Sequence, residues 1–215
     1  MIRLSTIQKK QWVGITGLAM VGFVLAHLSG NFLIFKGAEA YNGYAKFLHD
    51  LGPLLWVARL GLLSAFVVHM GLTMNLVITN KRARKARYYK YQNHRNESSL
   101  ATRLMPLTGT VIFLYIIFHL LDFSLADKVG LIQGVEYGLF GLVVNTLGNP
   151  IHAVLYIIAM ACVGLHMYHA FQSVFQTFGI LSDRNQAVVS NVSKGLGVGI
   201  AIAYSAIPIY ILLAF

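Results

Sequence analysis

The stretch 150-PIHAVLYIIAMACVGLHMYHAFQSVFQTF-178 runs for 29 residues without an Asp, Glu, Lys or Arg. Pro150, directly after Gly148-Asn149, is a helix-starting signal. A helix of this length rises about 43 Å at 1.5 Å per residue, more than the ~30 Å hydrocarbon core of a bilayer. The segment reads as a membrane span, and it carries His166 and His169 well inside. The rest of the chain repeats the pattern. Of 215 residues, 57% are apolar and 11% charged, with a mean hydropathy of +0.65; typical soluble domains are roughly 25% charged. A soluble fold of this size could not hide that much apolar surface. Cys162 is the single cysteine, which rules out an internal disulfide and a four-thiolate cluster or zinc site built from this chain alone.

Charge-free intervals place five spans, at about 11–35, 53–80, 104–123, 150–178 and 195–215. The apolar residues from Tyr137 to Gly148 are too few to cross and read as an interfacial segment. Lys9 and Lys10 before the first span resemble a signal peptide, but the apolar run is too long and no A-x-A site follows. The expected fold is an all-α integral membrane protein, a single domain over residues 1–215, with the first four spans forming a bundle.

The net charge of +10 comes from 17 Lys+Arg against 7 Asp+Glu. With five spans, 13 of the basic residues fall on the N-terminal face and 3 on the other, leaving Arg59 near a helix start. The positive-inside rule therefore makes the N-terminus cytoplasmic and the C-terminus external, in the cell's inner membrane. The run 81-KRARKARYYKYQNHR-95 is basic with interleaved aromatics, the composition of a nucleic-acid surface. It abuts two spans too tightly for that, so no nucleic-acid partner is expected. Attraction to anionic lipid and docking of a soluble partner remain as readings.

Ionisable residues inside spans are rare and usually functional. Four of the five spans carry one histidine each at depth: His27, His69, His119 and His166. His69 and His166 each lie 16 residues after a helix-starting proline, Pro53 and Pro150, about 24 Å below the outer ends. His27 and His119 each lie 15 residues after Trp12 and Leu104, about 22 Å above the inner ends. Depth thus gives an outer pair, His27 with His119, and an inner pair, His69 with His166, on alternate helices of a bundle. Paired imidazoles without thiolates or carboxylates suit a bis-histidine haem. No C-x-x-C-H occurs, so attachment would be non-covalent. A zinc or copper transporter is the rival, but it would want carboxylates beside the imidazoles. Glycines and alanines near the ligands (Gly14, Gly17, Gly22, Gly30, Gly71 and Gly164 among them) read either as room for a macrocycle or as close helix packing. His169, one turn from His166, competes for the ligand role; His152 starts the fourth span and His94 lies in the basic run.

With these residues in view, the chain resembles the cytochrome b membrane subunit of succinate dehydrogenases and quinol:fumarate reductases, of the five-helix, two-haem, single-polypeptide type. The resemblance spans essentially the whole chain and rests on 25-LAHLSGN-31, 69-HMGLTMN-75, 116-IIFHLLDF-123 and 165-LHMYHAFQSVFQTFGI-180. It implies His27 and His119 as iron ligands of a distal haem b, and His69 and His166 of a proximal one. It also favours His166 over His169. It implies a flavoprotein subunit and an iron–sulfur subunit on the cytoplasmic face, with electrons passing between them and a membrane quinone such as menaquinone. The chain would then be the membrane subunit of a succinate/fumarate:quinone oxidoreductase, with no dicarboxylate chemistry of its own; a dimer of such complexes is compatible with the sequence. His169, Asn31, Arg103 and Lys10 are candidates for supporting the ligands, the haem propionates or the quinone. Some fumarate reductases of this type carry a glutamate two residues before the helix-four ligand; here that place is Gly164, which puts a proton route there in doubt.

Quinone chemistry needs titratable groups close to water. The loop 41-YNGYAKFLHDLG-52 places Tyr41, Tyr44, Phe47, Leu48 and Leu51 at helical spacing, as in a helix lying on the bilayer surface. That would hold His49 and Asp50 at headgroup level above the outer pair, as candidates for proton exchange. Two other functions fit less of the sequence: the quinone-reactive cytochrome b of a hydrogenase or formate dehydrogenase, and a transporter or anchor without a redox cofactor.

Overall fold

The computed structural model describes residues 4–83, 100–126 and 130–215. Most of the basic run, with Arg84, Lys85, Arg87 and His94, lies outside them, as do 127–129. The order is α1 (Thr6–Asn31), a 3-10 turn (Phe32–Lys36), α2 (Ala38–Asp50), α3 (Pro53–Ala83), α4 (Leu100–His119), a π turn (Leu120–Ser124), β1 (Leu131–Ile132), β2 (Val135–Glu136), α5 (Gly138–Leu147), α6 (Pro150–Thr177) and α7 (Gln186–Ala214). Five segments are long and apolar enough to cross a membrane: Thr6–Lys36, Pro53–Ala83, Arg103–Ser124, Pro150–Thr177 and Gln186–Ala214.

Local chemistry sets the helix ends. Ser5 and Gln8 form a capping box, with Gln8 N–H on Ser5 Oγ at 3.2 Å and Ser5 N–H on Gln8 Oε1 at 2.8 Å, so α1 begins five residues before the first charge-free position. Asn149 caps α6 by accepting from the Ile151 and His152 amides at 2.9 and 3.4 Å, and Pro150 takes the first helical position, whose amide would be unsatisfied anyway. α7 starts at Gln186 rather than near 195, because Lys194 is carried within the helix. A long lysine on a helix can extend its ammonium to the interface, so a charge marks an interface rather than a helix end.

The long helices leave their apolar side chains uncovered. α3 has no buried residue at all, and Val57 and Leu213 are 66% and 83% exposed. Bands of this kind on every long helix are lipid-facing surface rather than isolated hydrophobes. The core cluster lies at the end of the bundle away from the N-terminus. Ile34, Tyr41, Phe140, Val143, Val144, Leu147, Tyr156, Ile207 and Ile211 pack there, where α2 and α5 fold over the helix ends. Asn42 ties these two short helices together, donating to the Tyr137 carbonyl at 2.8 Å and accepting from the Phe140 amide at 3.0 Å. The ring of Phe215 lies 5.9 Å from that of Phe140, which brings the end of α7 to this face.

Within the bundle α3 packs on α1, α4 on α6, and α6 on both α1 and α7. The α6–α7 pair is closest at Gly164 and Gly197, where a Cβ on Gly164 would lie 2.5 Å from the Gly197 carbonyl oxygen. Among the described residues α3 and α6 make at most marginal backbone packing with each other, and so do α1 and α4. Those are the helices that carry the paired histidines.

Candidate functional site

The structure brings His27 and His119 together. Their ring centroids are 5.9 Å apart and their planes stand at 89°. Phe23 stacks on His27 at 5.2 Å, one turn earlier on α1. Around His119 lie Tyr115, Phe123 and Tyr156, with centroids 5.6, 5.1 and 6.0 Å away. The backbone changes from α to π geometry immediately after His119, with the Leu125 amide reaching back to the Leu120 carbonyl at 2.9 Å. Single π turns of this kind re-aim side chains and recur at functional sites.

That turn presents Asp122 to α6. Tyr156 donates its hydroxyl proton to Asp122 Oδ2 at 2.8 Å, and His119 Nδ1 lies 3.5 Å from the same hydroxyl oxygen. A phenol has one proton; with that committed to the carboxylate, its oxygen accepts from His119 Nδ1–H. The Nε2 lone pair of His119 is thereby left available. His152 Nε2 stands 3.9 Å from Asp122 Oδ1, while its Nδ1 is buried without a hydrogen-bond partner among the described residues.

The other two histidines, His69 and His166, lie nearer the N-terminal end, each held at Nδ1 by a neighbouring helix. His69 Nδ1 lies 3.1 Å from the Val13 carbonyl and 3.2 Å from Thr16 Oγ1 on α1. His166 Nδ1 lies 3.1 Å from Thr108 Oγ1 on α4. Glycines follow both threonines: a Cβ on Gly17 would touch His69 Cε1 at 3.4 Å, and one on Gly109 would touch His166 Cε1 at 3.5 Å. His169 is half-buried on the next turn of α6.

The remaining sequence candidates scatter. Asn31 donates to the His27 carbonyl at 2.8 Å and accepts from Tyr41 at 3.1 Å, which joins α2 to the His27 turn. Burial pushes the Tyr41 hydroxyl up to about 12, so it stays a donor at neutral pH. Thr73 makes the matching bond to the His69 carbonyl. His49 and Asp50 are exposed on the last turn of α2, Asp50 paired with Lys46 at 2.6 Å. Lys10 and Arg103 are exposed at the N-terminal end, where Lys9 bonds Asn75 of α3 at 2.8 Å.

The glycines divide by role. Gly14 lies against Phe178, Gly30 under Tyr44 and Gly164 against Gly197, all as close packing, whereas Gly17 faces a histidine. Sequence reasoning missed Thr16, Thr108, Gly109 and the Asp122–Tyr156 pair. A signal for the first three exists: a Thr-Gly dipeptide starts eleven residues before His27 and again eleven before His119. No family model matches the chain, and neither do any curated protein or solved structure to which it was compared.

Proposed function

We propose that the chain is the membrane anchor and electron-transfer subunit of a succinate dehydrogenase or fumarate reductase complex, holding two b haems and exchanging electrons with a quinone. The observation that carries the reading is the close approach of His27 and His119, from two membrane-length helices, with His69 and His166 each held at Nδ1 on two others. The residues fit the group. The imidazole centroids of His27 and His119 are 5.9 Å apart, and such a pair of neutral nitrogen donors would hold the iron of a haem. Nδ1 of His69, His119 and His166 is engaged by the protein, leaving Nε2 as the ligating atom. The helix pairs that carry the ligands stand apart at the backbone, as a macrocycle between them would require.

When bound, haem b would supply a centre that takes up and releases one electron at a time. His69 and His166 would hold the group nearer the N-terminal end, and His27 and His119 would hold the one nearer α2 and α5. Thr16, beside His69, is eleven residues from His27 on α1, which separates the two sites by about 16 Å along the helix. The N-terminal face, with Lys9, Lys10, Lys81 and Arg82, is the cytoplasmic docking side for the iron–sulfur and flavoprotein subunits.

Quinone chemistry belongs at the other end. Asp122 and Tyr156 stand beside His119, with His152 near them in the first turn of α6. Asp122 accepts from the Tyr156 hydroxyl at Oδ2, and His152 would pass a proton between Asp122 and the interface; His49 and Asp50 stand exposed on the last turn of α2. Gly164, packed on Gly197, has no space for a carboxylate side chain, so proton movement in this reading stays at the α2–α5 end. The experiment is purification of the chain from its native membrane. Co-purifying flavoprotein and iron–sulfur subunits with succinate- or fumarate-linked quinone activity are expected; a hydrogenase, a formate dehydrogenase or no redox partner would overturn the assignment.

A further inference from the structure

We infer that Thr16 and Thr108 are positioning residues that hold His69 and His166 as Nδ1–H tautomers and so dictate that each ring offers Nε2. The proposed link to iron rests on the haem reading above; the tautomer itself does not. Thr16 donates its proton to the Trp12 carbonyl at 2.7 Å, and Thr108 donates to Leu104 at 3.1 Å. Each is a buried threonine within its own helix. A hydroxyl whose proton is spent on the preceding turn meets an imidazole as an acceptor, which requires hydrogen on Nδ1. At His69 the conclusion is doubly determined, because the Val13 carbonyl at 3.1 Å can only accept.

Gly17 and Gly109 each border one imidazole. Each directly follows its threonine, and a Cβ at either would already be in contact with the imidazole; a larger side chain would push the ring off the hydroxyl. The Thr-Gly pair of α1 serves the histidine of α3, and that of α4 serves the histidine of α6, so both rings are fixed by one device. Fixing the ring nitrogen that does not ligate also sets ligand basicity, since an imidazole that donates from Nδ1 is a stronger electron donor at Nε2.

The two rings differ in one respect that makes the inference testable: His69 keeps the Val13 carbonyl when Thr16 is lost, whereas Thr108 is the acceptor for His166. The test uses the full chain in lipid nanodiscs with 15N-labelled histidine, comparing wild type, T16V, T108V and T108S. In haem-free protein, nitrogen shifts should show His166 as Nδ1–H in wild type and T108S, and a mixture of tautomers in T108V. His69 should remain Nδ1–H in T16V. An Nε2–H His166 in wild type, or no change in T108V, overturns the inference. In haem-loaded protein, the midpoint potential of the inner haem should move upward in T108V, less in T16V, and return in T108S. Unchanged potentials with two haems retained would sink the positioning role and leave the haem reading intact. A wild-type chain that takes up no haem would sink the haem reading, and the tautomer measurement would still decide the role of the threonines.

Discussion

The imidazoles of His27 on α1 and His119 on α4 lie 5.9 Å apart between centroids with their planes perpendicular, towards the end where α2 and α5 close over the bundle. If the pair holds a haem as proposed, removing either imidazole would take away an iron bond. Ala at His27 or His119 is therefore expected to remove the outer haem, and Ala at His69 or His166 the inner one, so that haem content falls from two per chain towards one. Pyridine haemochrome assay of each variant reads this directly. His169→Ala should retain both haems; if it loses one while His166→Ala keeps two, the ligand on α6 is misassigned.

Tyr156 is 5% exposed and bridges His119 to Asp122. Tyr156→Phe leaves Asp122 short of a donor and His119 short of an acceptor. Leaving such a group unsatisfied costs about 1–3 kcal/mol. Thermal unfolding should show a lowered Tm, with Asp122→Asn less affected because the amide oxygen still accepts. Equal stability of Tyr156→Phe and wild type would show that the bridge contributes nothing.

Gly164 meets Gly197 where α6 and α7 approach backbone to backbone. Gly164→Ala should destabilise by about 1–3 kcal/mol through overpacking, and Gly164→Glu should disrupt the α6–α7 pair far more. Retained fold and haem content in Gly164→Glu would mean that α7 can withdraw, and a proton route at that position would be open again.

Quinone-linked turnover should drop steeply in Asp122→Asn and in His49→Leu of the intact complex, while succinate oxidation with an artificial acceptor and both haems persist. If only Asp122→Asn responds, His49 is an ordinary surface histidine and the site is confined to Asp122, Tyr156 and His152.

Neutralising Arg82, Arg84, Lys85 and Arg87 together should release the soluble subunits from the membrane. Topology must be checked first, because the same charges orient the helices. Intact topology with unchanged co-purification would reduce the run to a topology and lipid-binding element.

The spans were legible because lipid imposes a simple rule, about 20 apolar residues without charge, and Pro53 and Pro150 marked two starts to the residue. Ends governed by capping or by a tolerated lysine, at Ser5 and Lys194, were displaced. Depth counting brought His27 opposite His119 because helical rise is uniform. It could not give the groups that hold each ring: Thr16 and Thr108 are ordinary helix residues until their partners are known, and Asp122 reaches Tyr156 only after a π turn that no composition signals. The β1–β2 hairpin was likewise unseen. Its turn, Gln133-Gly134 with φ of 51° and 83°, puts a glutamine in the left-handed region that glycine or asparagine would have advertised.

The most direct test is a reduced-minus-oxidised absorption spectrum of the purified chain together with its haem stoichiometry. Two b-type haems per chain, each lost selectively with its own histidine pair, is the predicted result. A chain purified intact from haem-sufficient cells that carries no b-type haem would contradict it.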